Sequence, residues 1–165
     1  MKLTAPGVPD IYQGTELPDF SLVDPDNRRP VDFELRQRRL AASLDLTANA
    51  VWARRDEGLP KLWLIQRVLR LRAQYDTFFK GNYLPLRAAG PKSRHLVAFM
   101  RTGSLITLVP RFIQALKGDW AGTSIILPEG HWQNAFTGET FAGDLGLREL
   151  FAPFPVALLI RNESK

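Results

Sequence analysis

The feature that most constrains this chain is a change of hydrophobic period near Phe78. Before it, apolar residues recur every three to four positions, as on one face of a helix. After it, they fall in short runs bounded by Gly, Pro or charged residues, as in strands. Tyr83-Leu-Pro-Leu, Leu96-Val-Ala-Phe-Met, Ser104-Leu-Ile-Thr-Leu-Val, Thr123-Ser-Ile-Ile-Leu, Trp132 to Phe136 and Val156-Ala-Leu-Leu-Ile160 are such runs. Gly81-Asn82 signals a turn, and Thr102-Gly103-Ser104 and Thr137-Gly138-Glu139 predict hairpins. Helices segregated from five to seven short strands predict an α+β chain whose second half is a small antiparallel β-sandwich.

The helical half divides at Gly58 and Pro60, a pairing that commonly ends a helix. Upstream, Phe33, Leu40, Leu44, Ala48 and Val51 predict one helix over 33–56, with Asp32 as its N-cap. Its arginines, Arg36, Arg38, Arg39, Arg54 and Arg55, read as a solvated face. Downstream, Leu62, Ile65 and Leu69 beside Leu64, Val68, Leu71 and Tyr75 predict a helix from Lys61 to about Asp76. The short connection makes the two an antiparallel or angled pair.

Residues 1–33 belong to neither half. Pro6, Gly7 and Pro9 punctuate the entry, and Ile11 and Tyr12 are good strand residues. Gly14 ends the run, and a loop rich in carboxylates follows, with prolines at 18, 25 and 30. The predicted units are thus a strand and loop at 1–33, two helices at 34–77 and a β-region at 78–165. A strand opening into a stiff polar loop is how a (β/α)8 barrel presents its active-site rim.

The 165 residues, 45% of them apolar and 24% charged, are those of a globular chain that buries a core. No run reaches the roughly 18 apolar residues of a membrane span, and prolines interrupt any leader-like stretch at the start, so cytoplasm is the expected location. The absence of cysteine excludes disulfides, thiolate metal sites and cysteine nucleophiles. The net charge of +5 does not mark a nucleic-acid binder, because the arginines are mixed with acids rather than set in a stripe with aromatics. His95 and His131 lack zinc-ligand spacing and read as turn or surface residues. Trp120 and Trp132 read as core anchors rather than sugar-stacking platforms.

Pro6-Gly-Val-Pro-Asp-Ile-Tyr-Gln-Gly-Thr-Glu16 resembles the eighth barrel strand of the alpha-amylase family, glycoside hydrolase family 13. With Ser21-Leu-Val-Asp-Pro-Asp-Asn-Arg-Arg-Pro-Val-Asp-Phe33 it is similar to the trehalose-forming branch of that family. Lys61-Leu-Trp-Leu, Phe79-Lys-Gly-Asn-Tyr83, Val97-Ala-Phe99, Val109-Pro-Arg111 and Leu150 to Ile160 agree. Pro18 departs from the pattern, standing where an aromatic residue is expected, which weakens any sugar stacking there.

The resemblance implies a role for each part. The branch converts the reducing-end α-1,4 bond of a malto-oligosaccharide into an α,α-1,1 bond, as an isomerase in trehalose biosynthesis, with no metal or organic cofactor. Its catalytic carboxylates sit on the fourth, fifth and seventh barrel strands, so by resemblance this chain carries none and is not catalytic alone. Asp24 and Arg28 would hold a glucose unit near the reacting bond. Asp26, Asn27, Tyr12 and Glu16 are further substrate-binding candidates. The implied partners are a malto-oligosaccharide and a missing N-terminal barrel portion, with a trehalohydrolase as the next enzyme of the pathway.

Other readings make different predictions. A free-standing α-glucan-binding or protein-interaction module would expose its tryptophans. Independent hydrolysis would need two carboxyls held about 5–10 Å apart across the scissile bond, which Asp24 and Asp26 do not imply. A lone barrel strand over residues 4–14 would expose two unpaired edges. That segment is therefore expected to be disordered, to fold back on the helices, or to pair with a second copy.

Overall fold

The computed structural model describes residues 1–162. Four helices come first: α1 Phe33–Ser43, α2 Ala48–Ala53, α3 Leu59–Gln74 and α4 Asp76–Lys80. Asp32 caps α1 as expected, its carboxylate accepting from the Leu35 N–H at 2.8 Å. The single helix predicted over 33–56 is instead two. Thr47 caps a new start by accepting from the Ala50 N–H at 3.3 Å. The reason lies in burial: Ala48 and Val51 are buried in a core with Trp63 of α3, whereas Phe33 and Leu44 of the same apolar row stay exposed. Packing against α3 outweighs continuation of a half-exposed helix. Gly58 adopts φ +74° before α3, and Pro60 lies in that helix's first turn, where its missing N–H costs nothing. Among the described residues no helix is long and apolar enough to cross a membrane.

The strands are β1 Tyr83–Leu86, β2 Leu96–Arg101, β3 Leu105–Pro110, β4 Ser124–Ile126, β5 Trp132–Asn134, β6 Thr140–Phe141, β7 Asp144–Gly146 and β8 Ala157–Arg161. Six form one antiparallel sheet in the order β1-β2-β3-β8-β5-β6, while β4 and β7 form a separate ribbon. The expected turn at 102–104 joins β2 to β3, with Thr102 and Gly103 both at positive φ. The expected turn at 137–139 joins β5 to β6, the Asn134 N–H donating to the Glu139 carbonyl at 2.8 Å.

The sheet has a core on each face. Leu96, Ala98, Ile106, Leu108, Ala157 and Leu159 pack with Trp120, Ile125, Leu127, Trp132 and Leu145 beneath the ribbon. Leu105 and Leu158 point the other way, toward Leu59, Trp63, Val68 and Phe79 of the helices. The expected small antiparallel β-sandwich takes the form of one six-stranded antiparallel sheet between a helical layer and a two-stranded ribbon. Two short helices, α5 Ile113–Leu116 and α6 Leu147–Leu150, add Leu116, Leu147 and Leu150 to the core beneath the ribbon. Burial on both faces also explains why Leu105-Ile-Thr-Leu108 reads as an apolar run without alternation.

No residue of 1–33 forms a strand, which corrects the strand reading of this segment. An extended chain needs a ladder partner on an edge, and no described strand lies beside it. The Thr4 and Ala5 N–H groups instead turn back to the Met1 carbonyl, each at 2.9 Å. Leu3 and Thr4 are inserted between α3 and the sheet. Arg72 Nη1 donates to the Leu3 carbonyl at 2.8 Å, Arg101 Nη1 to the Thr4 carbonyl at 2.8 Å, and the Thr107 hydroxyl to the Thr4 hydroxyl at 2.9 Å. The segment thus folds back on the helices and sheet.

Candidate functional site

Beyond this anchor the chain turns sharply at Tyr12–Thr15. The Thr15 N–H and hydroxyl both donate to the Tyr12 carbonyl, at 3.0 and 2.7 Å. Gly14 is required twice over: its φ is +85°, and a Cβ there would meet Val31 Cγ2 at 2.9 Å. Leu17 is buried and pins the next stretch. Pro18, in the position expected to be aromatic, lies against Gly58, where a Cβ would meet the proline Cδ at 2.4 Å.

The loop that follows is held by its own acids. Asp19 accepts from the Ser21 N–H at 2.9 Å, and Asp26 Oδ2 from the Leu22 N–H at 2.8 Å. Asp26 also pairs with Arg29. These N–H donors are the main cause that holds both carboxyls below the usual carboxylate range; at Asp26 the Arg29 guanidinium adds to it. Asp24 and Arg28 pair with each other: Nη2 lies 2.6 Å from Oδ2, and Nε faces Oδ1. Their side chains are 55% and 68% exposed.

A cleft of about 280 Å³ opens between this loop and the turn at Gly14. Of the predicted substrate-binding residues, Asp26 and Asn27 line it, together with Gln13. Asp24, Arg28 and the exposed Tyr12 are not among its walls. Glu16 is not among its walls either; its Oε2 lies 3.4 Å from Arg36 Nε, and both atoms are buried without a hydrogen-bond partner. The Asn27 Oδ1 atom is buried and has no hydrogen-bond partner.

Arg36 is the residue that the sequence reading missed. Assigned there to a solvated arginine face, it is instead mostly covered. It donates from Nη2 to the Gly14 carbonyl and from Nη1 to the Asp32 carbonyl at 3.0 Å. One signal was present: a cation in the first turn of a helix opposes the macrodipole, and its stability there calls for a partner outside the helix. His95 closes the turn Ser93–His95 ahead of β2, as read, and is buried there, its Nδ1 3.3 Å from the Arg111 carbonyl and its ring edge-on to Phe112. His131 is exposed as expected. Trp120 and Trp132 are 4% and 0% exposed, so both are core. Among the described residues no cluster of three His, Cys, Asp or Glu could hold a metal.

No family model matches the chain. Its sequence is 42% identical, over an alignment of 166 positions, to a protein of Mycobacterium tuberculosis described as a maltooligosyl trehalose synthase. The alignment covers 99% of this chain and 20% of that protein. The backbone superposes on maltooligosyltrehalose synthase from Arthrobacter ramosus with a TM-score of 0.81 and 37% identity, over 98% of this chain and 21% of that one. A further maltooligosyl trehalose synthase gives 0.71 and 28%, over 96% and 20%. The chain therefore spans about a fifth of the length of the relatives it matches.

By sequence and backbone the chain is similar, over nearly its whole length, to one class of enzyme, the maltooligosyltrehalose synthases. Within that class it corresponds to a C-terminal portion of maltooligosyltrehalose synthase.

Proposed function

We propose that this chain works as part of a (1→4)-α-D-glucan 1-α-D-glucosylmutase, which makes trehalose ends on malto-oligosaccharides. The observation that carries this reading is an alignment that takes in nearly the whole chain but only a fifth of its relative. In this reading the chain supplies part of the rim that holds the glucan, together with a stabilising α+β unit. The rest of the enzyme supplies the barrel and the catalytic carboxylates, by a retaining mechanism. A glucosyl-enzyme forms, and the released glucose attacks it through its anomeric hydroxyl in place of water. Asp24 and Arg28 are the proposed sugar contacts. The carboxylate accepts from hydroxyls and the guanidinium donates in a fixed fork.

Two features support a chain that is not catalytic alone. The acids of the loop are committed to backbone N–H groups and arginines. Val8, Phe20, Leu22 and Val23 are strongly exposed around the same rim, a surface suited to the proposed barrel portion. A free-standing sugar-binding module is less well supported, since Trp120 and Trp132 are buried.

The test is the loss of reducing ends when the purified chain is incubated with maltohexaose, with Arg28→Ala as control. No turnover is expected. Turnover abolished by the substitution would overturn this reading and assign chemistry to the rim acids themselves.

A further inference from the structure

We infer that residues 111–113, which lead from β3 into α5, form a docking tip for an anionic lipid surface. Phe112 and Ile113 seat in the interfacial region of the bilayer while the cations around them meet the headgroups. The inference is independent of the glucan reading.

Three observations carry it. The first is strain without burial. Phe112 is held in the left-handed region, at φ +53° and ψ +45°, a conformation that is costly for a bulky side chain. Packing does not account for it, since the ring is 61% exposed and Ile113 beside it 67% exposed. Among the described residues, three of the four non-glycine residues at positive φ, Phe112, Lys117 and Ala121, lie in this one stretch. Such strain clusters where a segment is shaped for contact rather than for stability.

The second is how firmly the tip is held. The Arg111 guanidinium lies 4.9 Å from the Phe112 ring centroid, and the buried His95 meets that ring edge-on, with centroids 6.2 Å apart. Arg111 is itself fixed, its backbone N–H donating to the His95 carbonyl at 2.8 Å and its Nε to the Arg94 carbonyl at 2.6 Å. The exposed ring is thus presented in one orientation, which lowers the entropy lost on docking.

The third is charge. Lys92, Arg94, Arg111 and Lys117 surround the tip, and among the described residues none of them pairs with a carboxylate. Asp119 is matched by Arg148 at 3.3 Å, and the exposed Glu149 only partly offsets the rest. The complement of this surface is therefore anionic. Residues 111–115 are all exposed, so the tip projects rather than lining a groove. A bilayer interface accepts a projecting apolar tip without a matching pocket, and its anionic headgroups attract the flanking cations. Leu116 of α5 packs on the ribbon side of the sheet, whereas the helices pack on the other. This surface is thus separate from the rim proposed to meet the barrel portion.

The experiment is co-sedimentation of the chain with vesicles of phosphatidylcholine alone, or of equal parts phosphatidylcholine and phosphatidylglycerol. Partitioning to the mixed vesicles should exceed that to phosphatidylcholine by about tenfold or more, and should fall as salt is raised. Ile113→Ser should weaken it by about threefold and Phe112→Gly by about fivefold. Phe112→Gly should do so without lowering the melting temperature, because glycine relieves the left-handed strain. Arg38→Gln, which removes an exposed cation of α1, should bind as the parent does. No binding to the mixed vesicles overturns the inference, as does parent-like binding by both Phe112→Gly and Ile113→Ser. An equal loss in Arg38→Gln would make the attraction one of net charge alone. Retention by a DNA duplex without vesicle binding would assign the cations to a different polyanion. Either result overturns the docking tip. A Phe112→Gly protein that melts earlier and loses binding in parallel makes the ring a structural contact, and the inference falls with it.

Discussion

Arg101 donates through Nη1 to the carbonyl of Thr4 at 2.8 Å, joining residues 97 positions apart. The same guanidinium donates to the carbonyls of Phe79, Gly81 and Asn82. It is 2% exposed and, among the described residues, has no carboxylate partner. Burial, with the charge of nearby Arg72, pushes its pKa down from the usual guanidinium value. A buried cation is tolerated here because four carbonyl dipoles replace its water. The interaction fixes the N-terminal segment to the sheet, and so fixes where the rim begins.

Arg101→Met should therefore destabilise the chain by roughly 2–4 kcal/mol, since at least two buried carbonyls lose their donor. Urea unfolding measures this. Amide exchange at residues 3–5 should quicken more than at Ile106 or Leu158, and an unchanged midpoint would contradict the clamp.

Gly58 meets two demands at once, a left-handed φ and contact with Pro18. Gly58→Ala should cost about 1–3 kcal/mol from backbone strain alone, with the clash adding to it. A double variant with Pro18→Ala should recover part of the loss, because only the steric component involves the proline. Full recovery would mean that φ contributes nothing.

The Asp24–Arg28 pair lies in the open, where ion pairs contribute little. Asp24→Ala and Arg28→Ala should each change the stability of the chain by less than about 1 kcal/mol. Thermal melting checks this. A larger loss would make the pair a loop brace and weaken its proposed role with sugar.

The carboxyls of Asp19 and Asp26 titrate below their ordinary range because the folded loop donates to their charged forms. A depressed folded-state pKa gives stabilisation that is present above the unfolded value, about 3.9, and lost as pH falls through the folded one. The rim should stay ordered at neutral pH and loosen in acid below about pH 4. The Leu22 amide shift should titrate with Asp26, at a midpoint below the ordinary carboxylate value. Asp26→Asn should abolish that titration, and a midpoint above about 4 would contradict the hydrogen bond from Leu22.

Much of this fold was legible in the residues because it is locally encoded. The period change near Phe78, the Asp32 cap, the Gly58–Pro60 break and the turns at Gly103 and Gly138 each depend on neighbours a few positions away. The family likeness was legible for the same reason, since it lay in contiguous stretches such as Pro6–Glu16. At the candidate site, Asp26 and Asn27 are legible in the sequence and do line the cleft, whereas Arg36 reads there as solvated. Whether an arginine faces water or a carbonyl is set by what packs against its helix, not by its spacing.

By itself, then, the sequence determined the kinds of element, their order and the kinship of the chain, because propensity, capping and periodicity act over one or two turns of chain. Tertiary structure decided the rest. It buried β3 on both faces, broke the first helix so that Val51 could reach Trp63, and turned the N-terminal residues into an anchored loop. These outcomes depend on partners as distant as Thr4 and Arg101, and such partners exist only once the chain has closed on itself.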